Sequence, residues 1–207
     1  MPRVEALRTP ASPDDVGLSM LTVLPSLSRS SLRILLAHWA GETGWGKAMY
    51  NWNVGNSKSG GQSGDWMFLS CTELVPRERV DAMLTDSRVR LERPNQTGAM
   101  VELRFEPDHP WSRFQSFVSL DEGVRHYLGM MARSFPRSWS VALRGDGNVE
   151  EYARILRSER YYTATVERYV ALLKGTLDQV DRRAPEALAA AEVSKPPLAG
   201  AAVPRFH

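Results

Sequence analysis

The stretch 31–40, Ser-Leu-Arg-Ile-Leu-Leu-Ala-His-Trp-Ala, limits the possible folds of this chain more than any other. Its apolar residues Leu32, Ile34, Leu35, Leu36 and Trp39 sit around most of a helical circumference, not along one stripe. A helix of that kind is stable only when other elements wrap it on nearly every side. The spacing therefore predicts a buried central helix, capped by Ser30 or Ser31 and stopped near Gly41 and Gly44. The chain can supply such a wrapping. It has 207 residues, 43% of them apolar, with six Trp, six Tyr and six Phe. That is too much apolar and aromatic content for a disordered chain, and the length suits one domain with a small lobe or tail. Cys71 has no second cysteine to pair with, which excludes a disulfide scaffold. No apolar run approaches the roughly 18–20 residues that cross a bilayer. A net charge of +2 is too small to argue for a nucleic-acid partner.

The rest of the chain reads as helices around a small β-lobe, an α+β fold that is predominantly helical. Residues 1–11 lack periodicity and read as a loose N-terminal arm. Ser12-Pro13-Asp14-Asp15 opens a helix running to about Leu24, with Pro in the first turn and acids at the positive end of the dipole. The Gly-, Asn- and Ser-rich segment 44–64 is a long loop of the kind that often carries function. Residues 67–75 and 99–105 read as strands, 76–84 as a short helix and 111–118 as extended. Together they predict a small antiparallel lobe of two or three strands over about 65–118. Ser119 and Glu122 form a capping box ahead of Val124, Tyr127, Leu128 and Met131. Phe135-Pro136 ends that helix, and a short one follows to about Leu143. Gly145-Asp146-Gly147 is a turn. Asn148 and Glu151 start a helix carrying Tyr152, Ile155 and Leu156. Thr163 or Thr165 starts the last long helix, with Tyr169 and Leu173 among its apolar positions. The domain thus spans 12–183. From 184 the composition shifts to Ala and Pro, which reads as a tail or linker, with a helix over 185–193 as one form it takes and a delivery or structural partner as one use.

The chemistry expected of this chain needs neither metal nor cofactor. His38, His109, His126 and His207 lack metal-ligand spacing, and no phosphate loop or G-x-S-x-G elbow occurs. Glu42 stands out instead. It lies at the end of the apolar helix between Trp39 and Trp45, where burial and the negative end of the helix dipole both favour the protonated carboxyl. Such an acid can protonate a departing glycosidic oxygen. The alternative at this position is an ordinary exposed Glu near a helix C-terminus.

The run Ala37-His38-Trp39-Ala40-Gly41-Glu42-Thr43-Gly44-Trp45-Gly46-Lys47, followed by Asn51-Trp52-Asn53-Val54-Gly55-Asn56, resembles the signature of the lysozyme-like N-acetylglucosaminidase family. That family includes bacterial autolysins and the flagellar peptidoglycan hydrolase. Its pattern is an apolar helix, then A-x-x-E-[ST]-G-W-G, then an Asn-rich loop of the N-x-F-G type. Here Val54 stands where an aromatic is usual. Ser70-Cys71-Thr72-Glu73-Leu74 is similar to the family's T-x-E strand. Phe114-Gln115-Ser116-Phe117-Val118-Ser119 is similar to its F-R-x-Y-x-S segment, and Arg160-Tyr161-Tyr162-Thr163-Ala164 to its late G-Y-x-T motif. The likeness covers about 30–175. Glutamate followed by Ser or Thr and Gly also opens the lytic transglycosylase site.

The resemblance implies a peptidoglycan hydrolase that cuts a β-1,4 glycosidic bond, on the N-acetylglucosamine side, with a glycan strand as partner. It gives Glu42 the role of general acid. Glu73 takes that of a second carboxylate facing it across a cleft, which would activate water or stabilise an oxocarbenium-like state. The other reading of Glu73 is a strand residue paired with Arg77 or Arg79, with Glu102, Glu106, Asp108 and Asp65 as fallback acids. Tyr161 would border the sugar subsite, with Tyr162 beside it, or else either ring packs in the core. Trp52 and Trp66 could stack on sugar rings or join the packing. Asn53 and Asn56 could bond an acetamido group or simply stabilise their own turns. A lytic transglycosylase or a muramidase on the same fold is the alternative. A non-catalytic glycan-binding or structural module of a phage tail or secretion apparatus is the second. The N-terminus reads without a secretory signal, so delivery to the wall by phage, lysis or a secretion system is expected.

Overall fold

A computed structural model of the chain describes residues 3–59, 65–146 and 148–193. It is α+β, with eight α-helices and two small antiparallel sheets among those residues. Chain contacts divide it into two units, Met1–Leu7 with Ser57–Ser116 and Arg8–Asn56 with Phe117–His207. None of the helices in the described residues is long and apolar enough to cross a membrane.

The second unit is built around α2 (Arg29–Thr43), which packs against α1 (Pro13–Val23), α5 (Pro136–Leu143), α7 (Val166–Arg183) and α8 (Pro185–Val193). The central helix is buried on nearly every side: Leu32, Ile34, Leu35, Leu36, Ala37, His38 and Trp39 are each at most 1% exposed. Each such aliphatic side chain contributes about 1.5–3 kcal/mol of hydrophobic stabilisation relative to solvent exposure. Its N-cap is Ser28, earlier than Ser30 or Ser31. The amide of Leu27 closes a turn onto the carbonyl of Leu24, so Ser28 is the extended residue whose hydroxyl accepts from the Ser31 amide at 3.1 Å. At α1, Ser12 and Asp15 bond each other's amides, a complete capping box. The remaining helices are α4 (Leu120–Ser134), capped by Ser119, and α6 (Val149–Ser158), capped by Asn148. Thr165, not Thr163, caps α7.

Residues 185–193 are not a free tail. They form α8, whose Ala187, Leu188 and Ala191 are buried in the core. The contact with α1 is close: a Cβ at Gly17 would meet the Cβ of Ala187 at 2.5 Å. The last part of the expected tail, 194–207, lies outside the described residues, as do 60–64 of the expected loop and Gly147 of the expected turn. Nor are residues 3–11 a loose arm. In the first unit, Val4 donates to the carbonyl of Trp66 at 2.9 Å. In the second, the amide of Thr9 bonds the carbonyl of Met49, and its hydroxyl accepts from the amide of Trp52 at 2.8 Å.

Among its described residues the first unit carries five strands where two or three were expected. β1 (Trp66–Phe68) pairs with β5 (Arg113–Gln115). β4 (Met100–Phe105) lies between β2 (Cys71–Pro76) and β3 (Val89–Leu91). The single strand expected over 67–75 is two, separated by Leu69 and Ser70, because its halves pair with different partners. β3 has only three residues, two of them exposed, so no alternation marks it in the sequence. The expected helix over 76–84 is a 3₁₀ turn, Arg77–Arg79, followed by α3 (Val80–Met83). The extended piece over 111–118 is a 3₁₀ turn, Pro110–Ser112, leading into β5. This unit has its own small core of Val75, Val80, Val89, Val101, Leu103 and Phe105.

Candidate functional site

Glu42 occupies the last turn of α2, and the residues after it make the chain reverse sharply. Thr43 donates its hydroxyl to the carbonyl of Trp39 at 2.7 Å and accepts from the amide of Gly46 at 3.0 Å. Gly44 then adopts the left-handed conformation (φ 58°, ψ 47°) that ends a helix and that a side chain disfavours. Trp45 follows at φ 62°, its indole covered by the guanidinium of Arg183 at 4.4 Å. The order Glu-Thr-Gly-Trp-Gly is thus a hydroxyl-locked helix end that leaves Glu42 on the last turn while the chain departs. Asn56 secures the same turn from the loop, donating to the backbone carbonyl of Glu42 at 3.4 Å.

The Glu42 side chain is 34% exposed, open to solvent on one side and backed by aromatic residues on the other. Tyr169 on α7 donates its hydroxyl to Oε1 at 2.7 Å. Desolvation raises the Glu42 carboxyl above its ordinary range, and the Tyr169 hydrogen bond partly opposes the rise. Burial and the adjoining charge of Glu42 push the Tyr169 phenol upward, so it keeps its proton and acts as donor.

Beneath Glu42, one turn earlier on α2, His38 is wholly buried. Its Nε2 lies 3.8 Å from Oε1 of Glu42. Its Nδ1 meets two hydroxyls, Tyr127 on α4 at 2.9 Å and Tyr152 on α6 at 2.8 Å. Burial holds the imidazole down at about 3, so it is neutral at physiological pH. Tyr161 packs edge-on against His38, ring centres 4.8 Å apart, and also against Phe135. Tyr162 stacks on Tyr169 at 3.8 Å and anchors its own hydroxyl on the carbonyl of Ala153. Both late tyrosines therefore support the carboxyl's immediate partners.

Other expected residues sit elsewhere. Asn53 is only 1% exposed, so its amide is not offered to a ligand. Trp52, at φ 53°, borders a depression of about 330 Å³ shared with Asp15, Leu18, Ser19 and Asp121 of α1 and α4. In the first unit, Trp66 packs edge-on against Phe68 and lies under the guanidinium of Arg113. Glu73 is paired, but with Lys58 at 2.8 Å and not with Arg77 or Arg79. Arg77 instead binds the carbonyls of Gly98 and Gln96. Lys58 also donates to the carbonyl of Trp111 and lies 2.9 Å from the sulfur of Cys71. Among the fallback acids, Glu102 pairs with Arg93 and Glu106 with Arg90. The carbonyls of Asp108 and Asp65 accept from Arg88 and from the amide of Ser116. Among the described residues no group of three or more His, Cys, Asp or Glu side chains is arranged to hold a metal ion.

Sequence reasoning missed His38 and Tyr169. Both sit at positions that apolar periodicity assigns to the core, and only the four-residue step from His38 to Glu42 hinted that they share a helix face.

No family model matches this chain, and no curated protein or solved structure does either. What fold and site define is a class: an α+β protein whose central helix ends in a part-exposed carboxyl, backed by a buried histidine and five tyrosines.

Proposed function

We propose that this chain is a peptidoglycan hydrolase of lysozyme-like fold that cuts a β-1,4 glycosidic bond, on the N-acetylglucosamine side, with Glu42 as general acid. One observation carries the reading: Glu42 is part-exposed at a sharp helix end, its carboxyl is raised above the ordinary range by desolvation, and it is hydrogen-bonded by a tyrosine that itself stays protonated. Oε1 accepts from Tyr169, so the transferable proton belongs on Oε2. That proton passes to the departing glycosidic oxygen as the C1–O bond breaks, leaving an oxocarbenium-like sugar and the Glu42 carboxylate. Water completes hydrolysis. The resemblance assigns the role of base or electrostatic partner to Glu73, which belongs to the other unit and pairs there with Lys58.

A second reading is lytic transglycosylation, which needs a single acid and closes an anhydro ring with the sugar's own hydroxyl. The ion pair of Glu73 with Lys58 favours it, since that carboxylate already has a cation. Digestion of purified peptidoglycan with mass analysis of the fragments separates the two. Hydrolysis yields fragments one water heavier than the anhydro products. Glu73→Gln abolishes hydrolysis if Glu73 is the base and leaves transglycosylation nearly intact. A protein that binds the wall polymer and releases nothing is a glycan-binding module, and the enzymatic reading is then wrong.

A further inference from the structure

The buried cluster beneath Glu42 has more structure than a core needs. A histidine at 0% exposure places one ring nitrogen between two tyrosine hydroxyls and leaves the other, Nε2, without a hydrogen-bond partner. Unpartnered buried polar atoms are uncommon and costly. This one lies 3.8 Å from Oε1 of the carboxyl proposed to do the chemistry. That is just beyond hydrogen-bond reach in the resting geometry.

We propose that His38 is a positioning residue for Glu42 that acts on it as a hydrogen-bond donor. Its Nε2–H is fixed by Tyr127 and Tyr152 and closes onto Oε1 when the carboxyl gives up its proton. This rests on the reading of Glu42 as the general acid. Three observations point to one tautomer. Both tyrosine hydroxyls lie at Nδ1 and, being buried, keep their protons, so each is able to donate there, which assigns Nδ1 as the acceptor. A neutral ring that accepts at Nδ1 carries its hydrogen on Nε2. Oε1, the atom Nε2 faces, already accepts from Tyr169 and so does not carry the carboxyl proton itself. A lone pair on Nε2 would face a second lone pair, whereas an N–H faces an acceptor.

The proton balance is simple. Glu42 loses its proton from Oε2 to the leaving sugar oxygen, and the new negative charge draws Oε1 toward two donors, Tyr169 O–H and His38 N–H. His38 neither gains nor loses a proton. The titratable groups facing the imidazole are Glu42 from its own helix, Tyr127 from α4, Tyr152 from α6 and Tyr161 from the segment between α6 and α7, with Tyr169 of α7 reaching it through Glu42. Burial keeps the ring neutral through the working range. A charge-assisted bond made only after proton loss stabilises the transition state more than the ground state, which is the condition for raising kcat.

The test needs no substrate at first. Nitrogen-15 spectra of His-labelled wild-type protein should show the Nε2–H tautomer, unprotonated down to about pH 4. Carbon-13 titration of the Glu42 carboxyl should show its midpoint rising in His38→Phe, because a donor to the ionised form has gone, and falling back in His38→Gln, whose amide can donate. On peptidoglycan, His38→Phe should lose about tenfold or more in kcat with KM little changed, the upper limb of the pH profile moving up with the carboxyl, and His38→Gln should recover part of the loss. An Nδ1–H tautomer, protonation near pH 6.5, or a Glu42 midpoint insensitive to His38 overturns the proposal. If the variants fail to fold, the wild-type tautomer still decides it. Wild-type protein inert on peptidoglycan but showing the Nε2–H tautomer and a Glu42-coupled shift would refute the hydrolase reading while leaving the His38–Glu42 coupling in place.

Discussion

Two ionisable residues on one face of α2 pull stability in opposite directions with pH. Glu42 titrates above its unfolded value, so the folded state binds its proton more tightly. That contribution is fully present below the unfolded carboxyl range and is lost as pH rises through the folded midpoint. Glu42→Gln should therefore match wild type near pH 4 and exceed it in thermal midpoint at pH 8, as scanning calorimetry at the two pH values would show; a lower midpoint for the variant at pH 8 would contradict the raised carboxyl. His38 has the opposite sign. It stays neutral in the fold to about pH 3, so its contribution is present above about pH 6.5 and is lost as pH falls from there toward 3. The full swing is at most about 5 kcal/mol. Urea unfolding at pH 7 and pH 4 should show a steep acid loss, smaller in His38→Gln. Tyr169→Phe removes the bond that opposes the rise of Glu42, so the upper limb of the activity profile should move to higher pH while the rate at the optimum falls. Glu42 was legible from its neighbours, since Thr43 and Gly44 spell out a helix end. His38 and Tyr169 were not. A polar group that faces a part-exposed carboxyl and one that is merely accommodated in a core occupy the same periodic positions.

At the scale of elements, caps were the most legible signals because each is a local hydrogen bond. Ser12, Ser119 and Asn148 stand where their sequence context puts them. Ser28 was missed because the cap is chosen by a turn at Leu24 and Leu27 that packing sets. β3 and the break between β1 and β2 were invisible for a related reason: three-residue strands exist through their partners, not through their own alternation. The Ala- and Pro-rich stretch after 184 misled most, because Ala is an ideal residue where two helices must approach closely. Truncation after Ala184 should uncover the surface of α1 around Gly17 and cost several kcal/mol, roughly the transfer energy of Leu188 and its buried alanines. Equilibrium denaturation of the shortened chain measures it, and an unchanged midpoint would mean that α8 contributes nothing. Gly123 is a second close approach. A Cβ there would lie 1.8 Å from the carbonyl oxygen of Trp52, which is backbone and cannot step aside, so Gly123→Ala should cost roughly 2–4 kcal/mol or displace the Asn-rich loop.

At the scale of the whole molecule, the chain passes between its two units three times, after Leu7, Asn56 and Ser116. Each unit has its own buried cluster: α2 wrapped by helices in one, and six apolar residues of β2–β4 and α3 in the other. The helical unit holds Glu42 with His38, Asn56 and Tyr169, and the other holds Glu73 with Lys58. The proposed activity requires a protonated Glu42 to break a sugar linkage. The most direct measurement is release of soluble fragments from purified peptidoglycan by wild type and by Glu42→Gln at equal concentration, each checked for native folding by near-ultraviolet circular dichroism. Wild type should release fragments cut at a β-1,4 bond, and the variant should lose about 10²–10⁴-fold in rate, the range that a general acid supplies. A folded Glu42→Gln protein that solubilises the wall as fast as wild type would contradict this requirement.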